Sequence, residues 1–254
     1  MSTNLPTKWD EELAKHATKQ AALERPAVGR LAFRGGVMTY QNQPIPGNKL
    51  NLVIVSTAKE HALYANVLEN RSFDANKPEN PVCYALALDG QDMIPHPQAK
   101  TRMAANCLEC KYNQWGSAPN GGRGKACKES RRMVVLPQSS VLSGPNVPAA
   151  AGSVKKAEAA TCSIPVTSVK NWANYTAQLA GEYRRPSWAM VTEMSEHPHA
   201  KTVFEIKFSP VALVDDSHLG DLMARVETAN GIVMTPYSQE TNAPAPQPMQ
   251  NRKY

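Results

Sequence analysis

Three cysteines, Cys107, Cys110 and Cys127, stand within the stretch NCLECKYNQWGSAPNGGRGKACKESRR (106–132). Cys107 and Cys110 form a C-x-x-C pair, and sixteen residues separate Cys110 from Cys127. Two thiolates on one tight turn can both reach a soft ion, and a third closes the intervening loop around it, which is the arrangement of a zinc site. Tetrahedral zinc needs a fourth ligand. His96, in IPHPQAK, is best placed by sequence, with ten residues between it and Cys107. Cys83, a carboxylate and water are the alternatives. Cys83 lies inside the apolar run VCYALAL and reads first as a small core residue, as does Cys162 in TCSIPV. The site reads as structural. No Glu or Asp base accompanies it in the pattern of zinc hydrolases, and the deaminase signature H-x-E followed by P-C-x-x-C is missing. The competing reading is a set of free thiols or a redox pair plus a bystander. A redox C-x-x-C opens a helix in a strand–helix–strand unit, which the surrounding sequence lacks.

The metal accounts for the cysteines but not for the charge beside them. Between His96 and Val134 the basic residues are Lys100, Arg102, Lys111, Arg123, Lys125, Lys128, Arg131 and Arg132, against Glu109 and Glu129. That local surplus equals the formal net charge of the entire chain, +6. Tyr112 and Trp115 lie in the same segment. Basic side chains neutralise phosphates, and aromatic faces stack on unpaired bases without a sequence code. The candidate nucleic-acid contacts are therefore Lys111, Tyr112, Trp115, Arg123, Lys125, Lys128, Arg131 and Arg132. The plainer alternative has Trp115 capping the loop and the charges forming a solvated face. GGRGK invites a phosphate-loop reading, but Ala126 follows Lys125 where that motif requires Ser or Thr, so nucleotide hydrolysis is not expected.

Other constellations are weaker. Asp215 and Asp216 are adjacent carboxylates, which on a strand point to opposite faces and do not share an ion. His197 and His199, in EHPHA, fall in an expected turn. Phe33, Tyr40, Tyr64 and Tyr84 are stacking candidates that read more readily as core or edge residues. No catalytic group is predicted.

The elements that must position these residues are mostly strands. RLAFRGGVMTY suggests two short strands around Gly35-Gly36, and KLNLVIV a buried strand over 50–55 that passes into a helix or loop. VCYALALDG reads as a strand ending in an Asp-Gly turn, and RRMVVLP and ATCSIPV as two more. The late stretch SWAMVTEMSEHPHAKTVFEIKFSPVALV reads as a hairpin turning at EHPHA. Helices are expected over 8–24, after an N-cap at Ser168, and over 215–229. This is not the alternating strand–helix order of a doubly wound sheet. Twenty prolines and fourteen glycines fit a loop-rich domain, and the five cysteines are an odd count that argues for a reducing compartment. The first residues, MSTNLPTKWDEELAKHATKQ, are polar and mixed in charge, unlike a secretory signal. No apolar run is long enough for a membrane span. The expected location is cytoplasmic, with no membrane partner.

With CLECKYNQWGS, GRGKACKESRRMVVLP, IPVTSVKNWANYTAQL and the PSWAMVTEM…FEIKFSPVALV hairpin in view, the chain resembles a group of phage single-stranded-DNA-binding proteins. These stretches cover about half of it. The resemblance implies an oligonucleotide-binding (OB) barrel, metal on Cys107, Cys110 and Cys127, and action in the host-cell cytoplasm during DNA replication or recombination. It is similar in idea to the zinc-containing helix-destabilising proteins of T-even phages, which use three cysteines and a histidine. Ligand order and spacing differ from that example, so His96 is less firmly implied. The basic ending QPMQNRKY also departs from the acidic tails of many such proteins.

The expected fold class is mainly β with few helices (α+β): an OB-like barrel with a zinc-loop insertion and a late helix plus hairpin. The expected organisation is a helical extension over 1–25, one domain over 26–229, and a partly disordered tail over 230–254. The domain contains the insertion at 96–130 and a flexible loop at 137–160. The expected function is non-enzymatic binding of single-stranded DNA, with structural zinc and with replication or recombination proteins as further partners. The alternative is a zinc-bearing interaction module that docks on a polymerase or another protein.

Overall fold

The computed structural model describes Leu13, His16 and residues 28–72, 79–141, 154–199 and 203–237. Most of the expected N-terminal helix, the middle of the 137–160 loop and the tail beyond 237 lie outside the described residues. What is described is mainly β, with three α-helices and one curled, mixed sheet that forms a half-barrel.

The nine strands are β1 (Gly29–Arg34), β2 (Val37–Tyr40), β3 (Gln43–Pro44), β4 (Lys49–Leu63), β5 (Cys83–Ala87), β6 (Lys128–Pro137), β7 (Ala160–Ile164), β8 (Met190–His199) and β9 (Val203–Leu213). The helices are α1 (Ala65–Leu68), α2 (Val166–Gln178) and α3 (Asp216–Val233). The sheet runs β3-β2-β1-β7-β6-β4-β8-β9, with β5 joined to β4. β1 and β7 are parallel; the other pairs are antiparallel. Gly35 and Gly36 both have positive φ, which the two-residue turn between β1 and β2 requires.

β4 organises the molecule. One edge pairs with β6 along ten positions, while the other pairs first with β8 and then with β5. The expectation that this segment leaves strand geometry after Val55 does not hold: β4 continues to Leu63. A bulge between Ile54 and Ser56 lets it turn instead, and pairing on both edges outweighs the helical preference of its Ala, Lys and Glu residues.

Alternation along the strands fills two cores. Leu52, Ile54, Met133, Val135, Met190 and Met194 face Trp172 and Tyr175 of α2 and Leu179 just after it. Val53, Val134, Leu136 and Val191 face α3 with its Leu222, Ala229 and Val233. Both faces are covered, which explains the unbroken apolar runs LVIV and MVVL. α2 starts at Val166, with Pro165 at its N-cap position, rather than after Ser168. Ser168 is fully buried, and its hydroxyl accepts the Ile206 N–H at 2.8 Å, tying α2 to β9. The late hairpin forms as expected, but the strands stay paired through His199↔Val203, so Glu196–His199 belong to β8 rather than to a turn. α3 runs to Val233, four residues past its expected end.

Candidate functional site

The cysteine segment folds back against the far end of β4 and β5. Leu63, Cys83 and Ala126 are buried in a third, small cluster that also packs Tyr112, Met103 and Cys127. Backbone bonds fix the loop. The Cys107 N–H donates to the Met93 carbonyl at 2.9 Å, and the Cys127 N–H to the Tyr112 carbonyl at 2.8 Å. Asn113, also buried, donates through Nδ2 to the Cys107 carbonyl at 2.7 Å and accepts from Lys125 Nζ at 3.2 Å.

Cys83, Cys107, Cys110 and Cys127 line one small cavity of about 10 Å³. That is roughly the room of a single water-sized sphere. Burial pushes the Cys107 thiol up to about 11, with Cys83 and Cys110 adding to it. It pushes Cys127 up to about 12, with Cys107, Cys83 and Cys110 adding and Lys125 opposing. A divalent cation would reverse this cost, so the donor chemistry suits zinc. The sulfurs ring the cavity rather than meeting in it. Among the described residues, no group of three or more His, Cys, Asp or Glu side chains is drawn together closely enough to hold an ion.

His96 lies elsewhere. Its Nδ1 faces the Tyr84 hydroxyl at 2.9 Å and the Gln98 N–H at 3.1 Å, and its ring stacks on Tyr84 at 4.9 Å. Burial, then Arg132 and Arg102, lower its pKa. His61, which the sequence did not single out, lines the cysteine cavity with a buried Nδ1 that has no hydrogen-bond partner among the described residues. Cys162 is buried in the α2-side core, with its thiol pushed up to about 12 by burial.

The basic residues divide into three groups. Lys111, Arg123 and Lys125 sit on the loop, where Lys125 lies 5.7 Å from the centre of the Trp115 ring and Lys111 lies 5.0 Å from that of Tyr112. Trp115 is 79% exposed; Tyr112 is half-buried against the cysteines. Arg131 turns to Asp89 at 3.5 Å. Lys128 and Arg132, on the opposite face of β6, line a cleft of about 1120 Å³. Strand geometry opens this cleft. β1 pairs with β7 only at Gly29↔Ala160 and Arg30↔Thr161, so the β1–β2 hairpin then swings away. Arg30, Phe33 and Arg34 form one wall, and Lys128 and Tyr64 stand across from them, with Lys128 Nζ 5.9 Å from the Tyr64 ring centre. Of the stacking candidates, Phe33 and Tyr40 both pack against the α2-side core, Phe33 with its ring centre 6.3 Å from that of Phe204, and Tyr84 is buried.

The floor near Arg132 is a buried ionic network absent from the sequence reading. Glu60 is 3% exposed. Its Oε1 accepts from Arg132 Nε at 2.8 Å and from the Tyr237 hydroxyl at 2.6 Å; its Oε2 accepts from Ser130 at 2.7 Å. Arg132 also donates to the Thr235 carbonyl at 2.6 Å and lies 4.6 Å from the Tyr237 ring centre. Burial opposes the Arg132 charge, yet Glu60 and Tyr237 hold its pKa above the ordinary value. Burial and the Glu60 carboxylate raise that of Tyr237. The only sequence signal was charge alternation in KEHAL against ESRR, which reads equally as a solvated face.

The weaker constellations have local roles. Asp215 caps α3, accepting from the Ser217 N–H at 2.9 Å, and Ser217 lowers its pKa. Asp216 pairs with Arg185 at 3.6 Å. His197 Nε2 and the Ser195 hydroxyl are 2.9 Å apart. Among the described residues, no helix is long and apolar enough to cross a membrane. Comparisons of the chain with protein-family models, with curated proteins and with solved structures return no match.

Proposed function

We propose that the protein binds single-stranded DNA without catalysis and with little sequence preference, protecting or presenting it in phage replication or recombination. The observation that carries this reading is the cleft. It combines cations that form no ion pair among the described residues, Arg30, Arg34 and Lys128, with the aromatic rings of Phe33 and Tyr64 in its lining. That mixture tracks a phosphate backbone while offering platforms to its bases. The cysteine loop leads directly into Lys128 at the start of β6, so Trp115, Arg123 and Lys125 extend the same basic surface. Structural zinc on Cys107, Cys110 and Cys127 would stiffen that extension, and the curl of the sheet supports an OB-like mode of binding. Fluorescence anisotropy with a poly-dT oligonucleotide at two salt concentrations tests the reading. Tight binding at low salt and steep weakening at high salt are expected. No binding at low salt ends the proposal.

One observation favours a second reading, a zinc-bearing module that docks on a polymerase or another protein. Leu108, beside Cys107, is 81% exposed and stands on the same loop as Trp115. Binding to a polymerase subunit together with indifference to single strands would support it.

A further inference from the structure

We infer that Cys83 is the fourth ligand of the zinc site, so that four thiolates from Cys83, Cys107, Cys110 and Cys127 hold the metal and His96 takes no part. This rests on the zinc reading above and specifies its ligand set.

Strand geometry makes the choice. Successive side chains of β5 point to opposite faces. Cys83 pairs in register with Leu63 and shares its buried cluster with Ala126, Tyr112 and Cys127. Tyr84 points the other way, toward Tyr237 and the Arg132 network, and His96 stacks on Tyr84. β5 therefore stands between the His96 ring and the three loop cysteines. Cys83 is on their side and lines their cavity, while His96 does not. His96 is engaged as well, with Nδ1 shared between the Tyr84 hydroxyl and the Gln98 N–H.

His61 is the remaining competitor, since it lines the same cavity. Cys83 shares a buried cluster with Cys127, whereas His61 stands beside Glu129 across the β4–β6 ladder. A hydrogen bond from the Met103 backbone also reaches Cys83, of the kind that steadies a sulfur ligand. On binding, each of the four S–H groups gives its proton to solvent. Four thiolates on Zn²⁺ leave a net charge of −2, which Lys125, bonded to the cavity-lining Asn113, partly offsets.

Metal content and cobalt spectroscopy of the full chain test the assignment. Wild type should bind one Zn²⁺, and its Co²⁺ form should show sulfur-to-cobalt charge-transfer absorption of a four-thiolate site. Cys83→Ser should lose about a quarter of that absorption and bind zinc at least about tenfold more weakly. His96→Ala and His61→Ala should match wild type in both. Should Cys83→Ser fail to fold, alkylation of wild type followed by mass spectrometry decides. A chelator should raise labelling at Cys83 together with Cys107, Cys110 and Cys127, and leave the core residue Cys162 unchanged. Full absorption in Cys83→Ser, a loss in either histidine variant, or chelator-independent labelling of Cys83 overturns the assignment. Absence of stoichiometric metal overturns the zinc reading itself, and the oligonucleotide titration reports separately on DNA binding.

Discussion

Replacing Lys128 by alanine should make oligonucleotide binding less sensitive to salt, while replacing Arg131, three residues along the same strand, should not. The difference follows from which cations are already neutralised. Arg131 is turned to Asp89, and Arg132 is committed to Glu60. Arg30, Arg34 and Lys128 in the cleft, and Lys111, Arg123 and Lys125 on the loop, form no ion pair among the described residues. If all six contact phosphates, log K falls with log salt at a slope of about −4, since each contact on a single strand contributes about −0.7. Affinity should then drop roughly 300-fold between 50 and 200 mM salt. Lys128→Ala should reduce the slope by about 0.7, and Arg131→Ala should leave it unchanged. Lys128 is exposed, so the substitution leaves the fold intact. Anisotropy titrations with poly-dT at four salt concentrations give each slope directly. A wild-type slope shallower than about −1 would refute the phosphate-tracking argument, and so would equal slopes for the two variants.

The two aromatic residues of the loop should behave oppositely. Trp115→Ala should leave stability within about 0.5 kcal/mol of wild type and weaken binding about 5- to 150-fold through lost base stacking; Tyr112→Ala should instead cost about 1–3 kcal/mol in urea unfolding. Glu60→Ala strands a buried Arg132 and should cost about 3–5 kcal/mol in the same assay, against about 1.5–3 kcal/mol for Tyr237→Phe, which removes one charged hydrogen bond; near-wild-type stability in Glu60→Ala would show that the network is not buried in solution. Glu196 is 7% exposed, its oxygens have no hydrogen-bond partner among the described residues, and burial raises its pKa. The fold therefore favours its neutral form, and that contribution is complete below the unfolded carboxyl pKa and lost as pH rises through the raised one. Melting curves of wild type and Glu196→Gln should converge near pH 4 and separate in favour of the variant at pH 7; a variant that melts lower at pH 7 would contradict this.

The β-rich class, the Gly-Gly hairpin, the late hairpin and the apolar strands were legible because period-two patterning and turn residues are local signals. The extent of β4 was not. AKEHAL carries helix-forming residues, and only its pairing with β5 and β6 keeps it extended. Charge density along the chain marked a basic block but could not divide it. Arg131 and Arg132 look equivalent in sequence, yet each is neutralised by a carboxylate more than forty residues away, on opposite faces of β6. The cleft itself was invisible, since it arises where β1 and β7 part company, a property of sheet order. His96 ranked ahead of Cys83 because it is nearer Cys107 in sequence and because Cys83, inside an apolar run, reads as a core residue. The alternation of CYALA, which puts thiol and phenol on opposite faces, was the overlooked signal.

That alternation has a consequence for how the chain finds its alignment. A slip of β5 by one residue against β4 would carry Cys83 to the far side of the sheet and swing the bulky Tyr84 beneath the loop. Hydrophobicity alone separates the two alignments weakly, because all five β5 residues are buried, but the phenol would have to enter a cavity of about 10 Å³. Under the proposed four-thiolate site sulfur chemistry would penalise it as well, since a misaligned hairpin offers the loop a phenol in place of the Cys83 thiol. If the proposed metal site forms, it would add a chemical check on strand register to the steric one.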